Sequence, residues 1–231
     1  MRMRIAVVGG TGAEGFGMAL RLATAGHDVV IGSRDEAKAA DAVARATAIL
    51  GVDASVHGAV NVDAVPRADV VVVTVPFAGQ TKTYESVKAV LTERMVVLDA
   101  TSPLATAVGG KAWEVLRPWA GSAAEQAREL VGPGPRFVAG FHTIAASALA
   151  DLERPIDSDV LLAGDDAEAV AIIGSLVDQI PGLRWVHCGG LAMARITETL
   201  TPLLISINRR YKRKDAGFRI VGAGGWGLPE R

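Results

Sequence analysis

A doubly wound α/β fold with a mostly parallel sheet is what these 231 residues predict. Three observations carry the expectation. Short, near-continuous apolar runs alternate with helical stretches, the pattern of a parallel sheet covered on both faces. The first run ends in a glycine cluster that opens directly into a helical period. Half of the residues are hydrophobic and 21% are charged, enough apolar surface for a full core.

The elements follow in order. Residues 4–9 (RIAVVG) read as a buried strand. Residues 12–25 are helical, with Ala13, Phe16, Leu20 and Ala23 on one face and Gly26 as the stop. Residues 27–32 are a second strand, 36–50 an alanine-rich helix and 54–56 a short third strand. Residues 69–75 (DVVVVTV) are β-branched and stopped by Pro76, the clearest strand of all. A helix over 80–91 and a strand over 95–100 complete the regular half. Beyond it, helices are expected over 122–131 and 165–180, and strands over 136–141, 160–163 and 183–187. The acidic start of the 165–180 helix suits the positive end of its dipole. Residues 191–211 read as a helical region interrupted near Pro202, and a glycine-rich tail with Gly222, Gly224, Gly225 and Gly227 closes the chain as a loose end. The organisation expected is a nucleotide-binding domain over 1–188 and a small helical C-terminal part over 189–231.

Composition excludes several function classes. The net charge of −1 offers nothing to attract nucleic acid or an anionic membrane. No run approaches the ~18 apolar residues of a membrane span. The start, MRMRIAVVGG, leads into the glycine cluster and lacks the pattern of a signal peptide. Cys188 is the one cysteine, so an intrachain disulfide is excluded; it reads as a buried structural thiol in a cytoplasmic protein. The histidines His27, His57, His142 and His187 have no metal-ligand spacing, and no metal is expected.

Gly10-Thr11-Gly12-Ala13-Glu14-Gly15 fits G-x-G-x-x-G, with a strand before it, a helix after it and a second strand within ~30 residues. That context makes the fold Rossmann-type. Gly10 permits the tight turn, Gly12 lets backbone approach a pyrophosphate, and Gly15 lets helix and strand pack closely. The open helix start offers N–H groups and a positive dipole end to phosphate. At the end of the second strand, an NAD site places Asp or Glu to hold a ribose 2′-hydroxyl. This chain has Gly32-Ser33-Arg34 there, with Lys38 one turn on. A hydroxyl and a guanidinium suit a 2′-phosphate, so the expected dinucleotide is NADP. Asp35 and Glu36 are expected at the start of the next helix as caps.

The pattern GGTGAEGFGMALRLATAGHDVVIGSR resembles the start of the F420-dependent NADP reductases. TVPF at 74–77, HTIAASAL at 142–149, GDDAEA at 164–169, ETLTPLLISI at 198–207 and AGFRIV at 216–221 are similar to that family's segments, in the same order. Ala145 departs from the proline the family often carries after His-Thr-Ile. The resemblance implies an oxidoreductase exchanging hydride between NADP(H) and the deazaflavin coenzyme F420. It implies pyrophosphate contacts from Thr11, Gly12, Ala13 and Glu14, and 2′-phosphate contacts from Ser33, Arg34 and Lys38. Val75, Thr101 and Ala146 are then expected near the ribose or nicotinamide, and His142, Ile144 and Ala216 around the deazaflavin. A homodimer is also implied, with Leu200, Leu203, Leu204 and Ile207 as core or as the shared face.

Hydride exchange between two cofactors asks little of side chains, in keeping with the lack of an evident triad or CxxC. His142, placed after a strand, either hydrogen-bonds the deazaflavin and moves its proton, or is satisfied by backbone. Tyr84 and Lys88, four apart, read as a solvated helix face. The run Arg209-Arg210-Tyr211-Lys212-Arg213-Lys214 reads either as a solvated helix end or as an attractor for the anionic coenzyme tail. Two other functions fit the residues: reduction of a small imine or carbonyl with NADPH, and non-catalytic NADP sensing. About 40 residues follow His187, too few for the large helical domain of imine reductases.

Overall fold

The computed structural model describes residues 2–222 and residue 227. The rest of the glycine-rich tail, including Gly224 and Gly225, lies outside the described residues. The chain runs β1 (Arg4–Val8), α1 (Ala13–Thr24), β2 (Asp28–Ser33), α2 (Glu36–Leu50), β3 (Val56–Val60), α3 (Asn61–Ala64), β4 (Val70–Val73), α4 (Phe77–Val87) and β5 (Val96–Asp99). It continues α5 (Ala123–Val131), β6 (Arg136–Ala139), α6 (Ala146–Ala150), β7 (Ser158–Gly164), α7 (Ala167–Val177), β8 (Leu183–His187), α8 (Ala194–Thr197) and α9 (Leu200–Tyr211).

The strands form one eight-stranded sheet in the order β3-β2-β1-β4-β5-β6-β7-β8. Every neighbouring pair is parallel except β6–β7. The mostly parallel, doubly wound expectation is thus met. The order reverses between β1 and β4, so their C-terminal ends diverge into a crevice, where ligands bind in open sheets.

Strand alternation divides the core in two. Ile5, Val7, Val70, Val72 and Leu98 face a layer built with α1 and α7. Ala6, Val8, Val71, Val73 and Val97 face a layer built with α4 and α5. Each such valine or isoleucine, nearly inaccessible, contributes roughly 1.5–3 kcal/mol by burial. The helix starts are capped as their sequences suggest. Asp35 accepts the N–H groups of Ala37 (2.9 Å) and Lys38 (3.4 Å) at α2, and Asp166 accepts that of Ala169 (2.7 Å) at α7.

Four expectations need correction. The third strand lies at 56–60 rather than 54–56. VHGAV has no apolar run because it is an edge strand, and its Gly58 permits close approach of α2: a Cβ there would stand 3.1 Å from the Ala39 backbone. The short helices α3 and α6 have too few turns to show a period. The interruption of the C-terminal helices falls at Glu198 and Thr199; Pro202 sits in the first turn of α9, where its missing N–H costs nothing. Finally, Tyr84 is not on a solvated face. It is wholly buried, whereas Lys88 lies past the end of α4 in a 3₁₀ turn, Lys88–Val90, and is exposed.

The C-terminal part returns to the sheet. Leu191 and Ala194 join the second core layer, and the Asp159 N–H bonds the Phe218 carbonyl at 2.7 Å, pinning residues 216–220 to β7. Among the described residues no helix is long and apolar enough to cross a membrane.

Candidate dinucleotide-binding site

The glycine turn is built as its spacing predicts. Gly9 takes φ +77°, a conformation costly for any residue with a Cβ, and starts the reversal out of β1. The Gly10 N–H is held inside by the carbonyls of Gly32 (2.9 Å) and Val7 (3.1 Å), so Gly10 shapes the turn from beneath. Gly12 is the exposed N-cap of α1 and has no capping side chain. The first N–H groups of α1 therefore have no partner from a cap and face the crevice. Glu14, in that first turn, is half-buried; desolvation, with the Asp99 charge adding, pushes its carboxyl up to about 8. At neutral pH it carries little negative charge against an incoming phosphate.

A cleft of about 480 Å³ opens over this turn. Thr11, Gly12, Ser33, Arg34, Lys38 and Val75 all line it. Six of the predicted residues, from three separate stretches of sequence, thus meet at one place. Ser33 is buried and its Oγ accepts the Asp35 N–H at 3.2 Å, leaving its hydroxyl proton to donate. Arg34 and Lys38 are exposed and have no ion-pair partner among the described residues. Two cations without a carboxylate partner, beside a serine hydroxyl at the end of β2, fit an extra phosphate; Asp35, which also lines the cleft, is engaged through Oδ1 in capping α2. Sequence reasoning missed Asn61 and Thr74, which line the same cleft.

Ile144 and Ala216 line a second cleft of about 500 Å³, together with Ser147, Ser158 and the backbone-adjacent run Lys212–Lys214. The first cleft opens at the start of α1, and α6 lines the second through Ser147 and Ala148. The side of α1 packs on α6, with Gly17 so close that a Cβ would reach within 2.7 Å of Leu149 Cβ. Arg21 of α1 is 4% exposed and donates to the carbonyls of Ala148 (2.9 Å), Leu149 (3.0 Å), Asp151 and Arg154 (2.9 Å). One buried guanidinium thereby closes the end of α6 and fixes it to the helix whose start faces the first cleft.

Thr101, His142 and Ala146 line neither cleft. Ala146 opens α6 and is half-buried. Thr101 is buried, its N–H bonded to Asp99 Oδ1 at 2.8 Å. Asp99 in turn accepts from Tyr84 Oη (2.6 Å) and Gln80 Nε2 (3.1 Å), and Gln80 Oε1 accepts from Gln126 (3.2 Å). This wholly buried network joins α4, β5 and α5. Desolvation raises the Asp99 carboxyl above its ordinary value, although hydrogen bonds from Tyr84, Thr101 and Gln80 oppose the rise.

His142 follows Phe141, a buried aromatic residue at φ +67°. That left-handed position turns the chain at the sheet edge. Neither imidazole nitrogen has a hydrogen-bond partner. Burial pushes its pKa down to about 4, the Ala100 backbone opposing in part. At neutral pH the ring is therefore neutral and carries no spare proton. The unfolded chain takes up a proton near 6.5 and the fold only near 4, so stability falls as pH drops through that window. Glu14, whose carboxyl is raised to about 8, acts with the opposite sign over the same range, so the His142 contribution is read as the difference between parent and His142→Asn: between pH 6.5 and pH 5 the parent should lose about 1.5–2 kcal/mol more than the variant in denaturant unfolding. An unchanged slope in the variant would refute it.

The parallel sheet, the glycine turn at its switch point and the cation pair at the end of β2 define a Rossmann-type dinucleotide-binding protein. Comparison with known proteins narrows the class. Residues 4–103 match the family described as NADP oxidoreductase, coenzyme F420-dependent. The F420-dependent NADP reductase of Methanothermobacter thermautotrophicus is 46% identical over 233 aligned positions, covering 100% of this chain and 98% of its own. That of Methanocaldococcus jannaschii is 40% identical, over 95% of this chain and 98% of its own. A crystal structure from Arthrobacter sp. FB24, provisionally assigned as an F420-dependent NADP-reductase, superposes with a TM-score of 0.82 at 26% identity, covering 95% of this chain and 100% of that one. The chain belongs to the F420-dependent NADP reductase family.

Proposed function

We propose that this protein exchanges a hydride between NADP(H) and coenzyme F420: NADPH, a proton and F420 give NADP⁺ and reduced F420, or the reverse. The observation that carries the reading is full-length identity of 40–46% to proteins of that name. The nicotinamide and deazaflavin rings supply the hydride donor and acceptor when bound. Residues 1–188 hold the NADP, and 189–231 border the second ring. The open start of α1 at Thr11–Glu14 binds the pyrophosphate. Ser33, Arg34 and Lys38 hold the 2′-phosphate, and Val75 lies along the ribose or nicotinamide. Ile144 and Ala216 border the deazaflavin, with the basic stretch Lys212–Lys214 beside its anionic tail. His142, neutral and buried, lines neither cleft and donates no proton at pH 7. On α9, Leu204 is core, whereas Leu203 is 48% exposed and Ile196 of α8 is 56% exposed. These two belong to the face a second copy covers in a homodimer.

The deciding measurement mixes purified protein with NADPH and F420 and follows the deazaflavin absorbance. Loss of the signal in proportion to protein concentration supports the reading; no loss in either direction, with both cofactors bound, overturns it. Arg34→Ala should cost about 1.5–3 kcal/mol of NADP binding, the range for a charge-assisted hydrogen bond, and leave NAD binding little changed. Equal losses for the two cofactors would contradict the assignment of the 2′-phosphate to Arg34.

A further inference from the structure

Asn61 is a polar side chain with an unusual position. It is the first residue after β3, next to Val60, which pairs with Ser33 at the end of β2. It is only 5% exposed, yet it lines the cleft between the glycine turn and the cation pair. Its Oδ1 accepts the Gly9 N–H at 3.4 Å, so the side chain spans from β3 across β2 to the end of β1. The chain makes room for it. A Cβ on Gly32 would stand 2.8 Å from Asn61 Oδ1, so any other residue at 32 would displace the amide.

The Gly9 N–H fixes which way the amide faces, because a donor must meet the oxygen. The nitrogen is then turned the other way. Nδ2 donates to nothing among the described residues and is not one of the atoms sealed off inside the protein. An amide held at its oxygen, with its nitrogen open on a cleft, presents a positioned donor to an acceptor that enters there. Ser33 and Arg34 on one side and Gly9 on the other bracket the acceptor's place, which is the phosphorylated ribose at the adenosine end of the dinucleotide.

We propose that Asn61 is a specificity-determining residue for NADP: its Oδ1 holds the glycine turn and its Nδ2 donates to an oxygen of the ribose 2′-phosphate end. The inference rests on the NADP reading above and adds a third donor to Ser33 and Arg34. It also gives Gly32 a role, that of leaving space for the amide.

Asn61→Asp separates the two functions of the side chain. It keeps the size and the oxygen that meets Gly9, but replaces the outward donor with a carboxylate oxygen that repels phosphate. Binding of 2′,5′-ADP and of 5′-AMP is measured by calorimetry, with the melting temperature recorded. Asn61→Asp is expected to weaken 2′,5′-ADP by about tenfold to a hundredfold and 5′-AMP by far less, with melting within a few degrees of the parent. Wild-type-like binding of 2′,5′-ADP by the variant overturns the proposal. Equal weakening of both nucleotides also overturns it, since the amide then only supports the turn. If Asn61→Asp does not fold, Asn61→Ala decides by the same ratio of losses. Failure of the unaltered protein to bind 2′,5′-ADP is a different result: it removes the NADP reading itself.

Discussion

Asp159→Ala should lower the stability of the fold by about 3 kcal/mol, the lower end for breaking a buried ion pair. Asp159 is wholly buried at the start of β7 and satisfies four donors at once. Arg184 reaches it through Nε and Nη2, both at 2.8 Å, Arg219 through Nη1 at 2.7 Å, and the Ile220 N–H at 2.6 Å. Burial alone would raise its pKa, but Arg184, the Ile220 N–H and Arg219 together hold it below the usual carboxylate range. The anion is thus the fixed point to which two guanidinia and a backbone segment are tied. Removing it leaves those donors facing each other. The cost stays at the low end because the side chains of Arg184 and Arg219 are 46% and 30% exposed and can turn to water.

The functional consequence follows from what Asp159 anchors. Residues 216–220 lie along β7 through Arg219, Ile220 and the Phe218 carbonyl, and they carry Ala216 into the second cleft. Loosening them should raise the KM for F420 by about tenfold or more, the effect of losing one wall of a pocket, and leave the KM for NADPH within about twofold. Urea unfolding measures the first effect and steady-state kinetics the second. Stability within 1 kcal/mol of the parent, or equal rises in both KM values, would show that the segment is held by other means.

Residues 36–50 and 183–187 are the helix and strand the sequence predicts, at the same bounds. Both are marked by signals that act locally: a capping aspartate with an alanine-rich period, and a short stretch carrying Leu183, Trp185 and Val186 between Gly182 and the glycines Gly189 and Gly190. The placement of the cation pair and the glycine turn was legible for the same reason, since each is formed by residues close in sequence. Asn61 was not legible, because its meaning depends on Gly9, fifty-two positions away, and on the gap left by Gly32. Tyr84 was misread because the i, i+4 rule assumes that both residues share one helix. The helix ends at Val87, so Lys88 leaves for solvent and Tyr84 turns inward to a carboxylate on a neighbouring strand. The Asp159 anchor was equally hidden: Arg184 and Arg219 approach it from two elements that only the sheet order brings together.

Two glycines of the turn, Gly15 and Gly12, offer the second large effect, because their roles separate by experiment. Gly15→Ala should destabilise the fold by about 3 kcal/mol, the upper range for overpacking, because most of its neighbours are backbone and cannot yield. A Cβ there would overlap Thr74 Oγ1 and stand 2.8 Å from Gly10 Cα and 3.0 Å from the Gly9 carbonyl oxygen. The start of α1 would be levered off the ends of β1 and β4, and with it α6, which Arg21 binds to the same helix. Gly12→Ala is the opposite case. Its φ of −73° is ordinary, and its Cβ would meet only the Gly9 carbonyl oxygen, at 3.5 Å. The fold should therefore lose no more than about 1 kcal/mol, the difference between glycine and alanine at an N-cap. That methyl group would nevertheless stand on the exposed lip of the turn, where the pyrophosphate must come close to backbone. Binding of NADPH by Gly12→Ala should weaken by about tenfold or more, the cost of one displaced charge-assisted contact. Thermal melting and NADPH titration of the two variants distinguish the roles. A Gly12→Ala protein that bound NADPH as the parent does would mean that the phosphates approach the chain elsewhere, and a Gly15→Ala protein of unaltered stability would mean that α1 does not need to lie so close to the sheet.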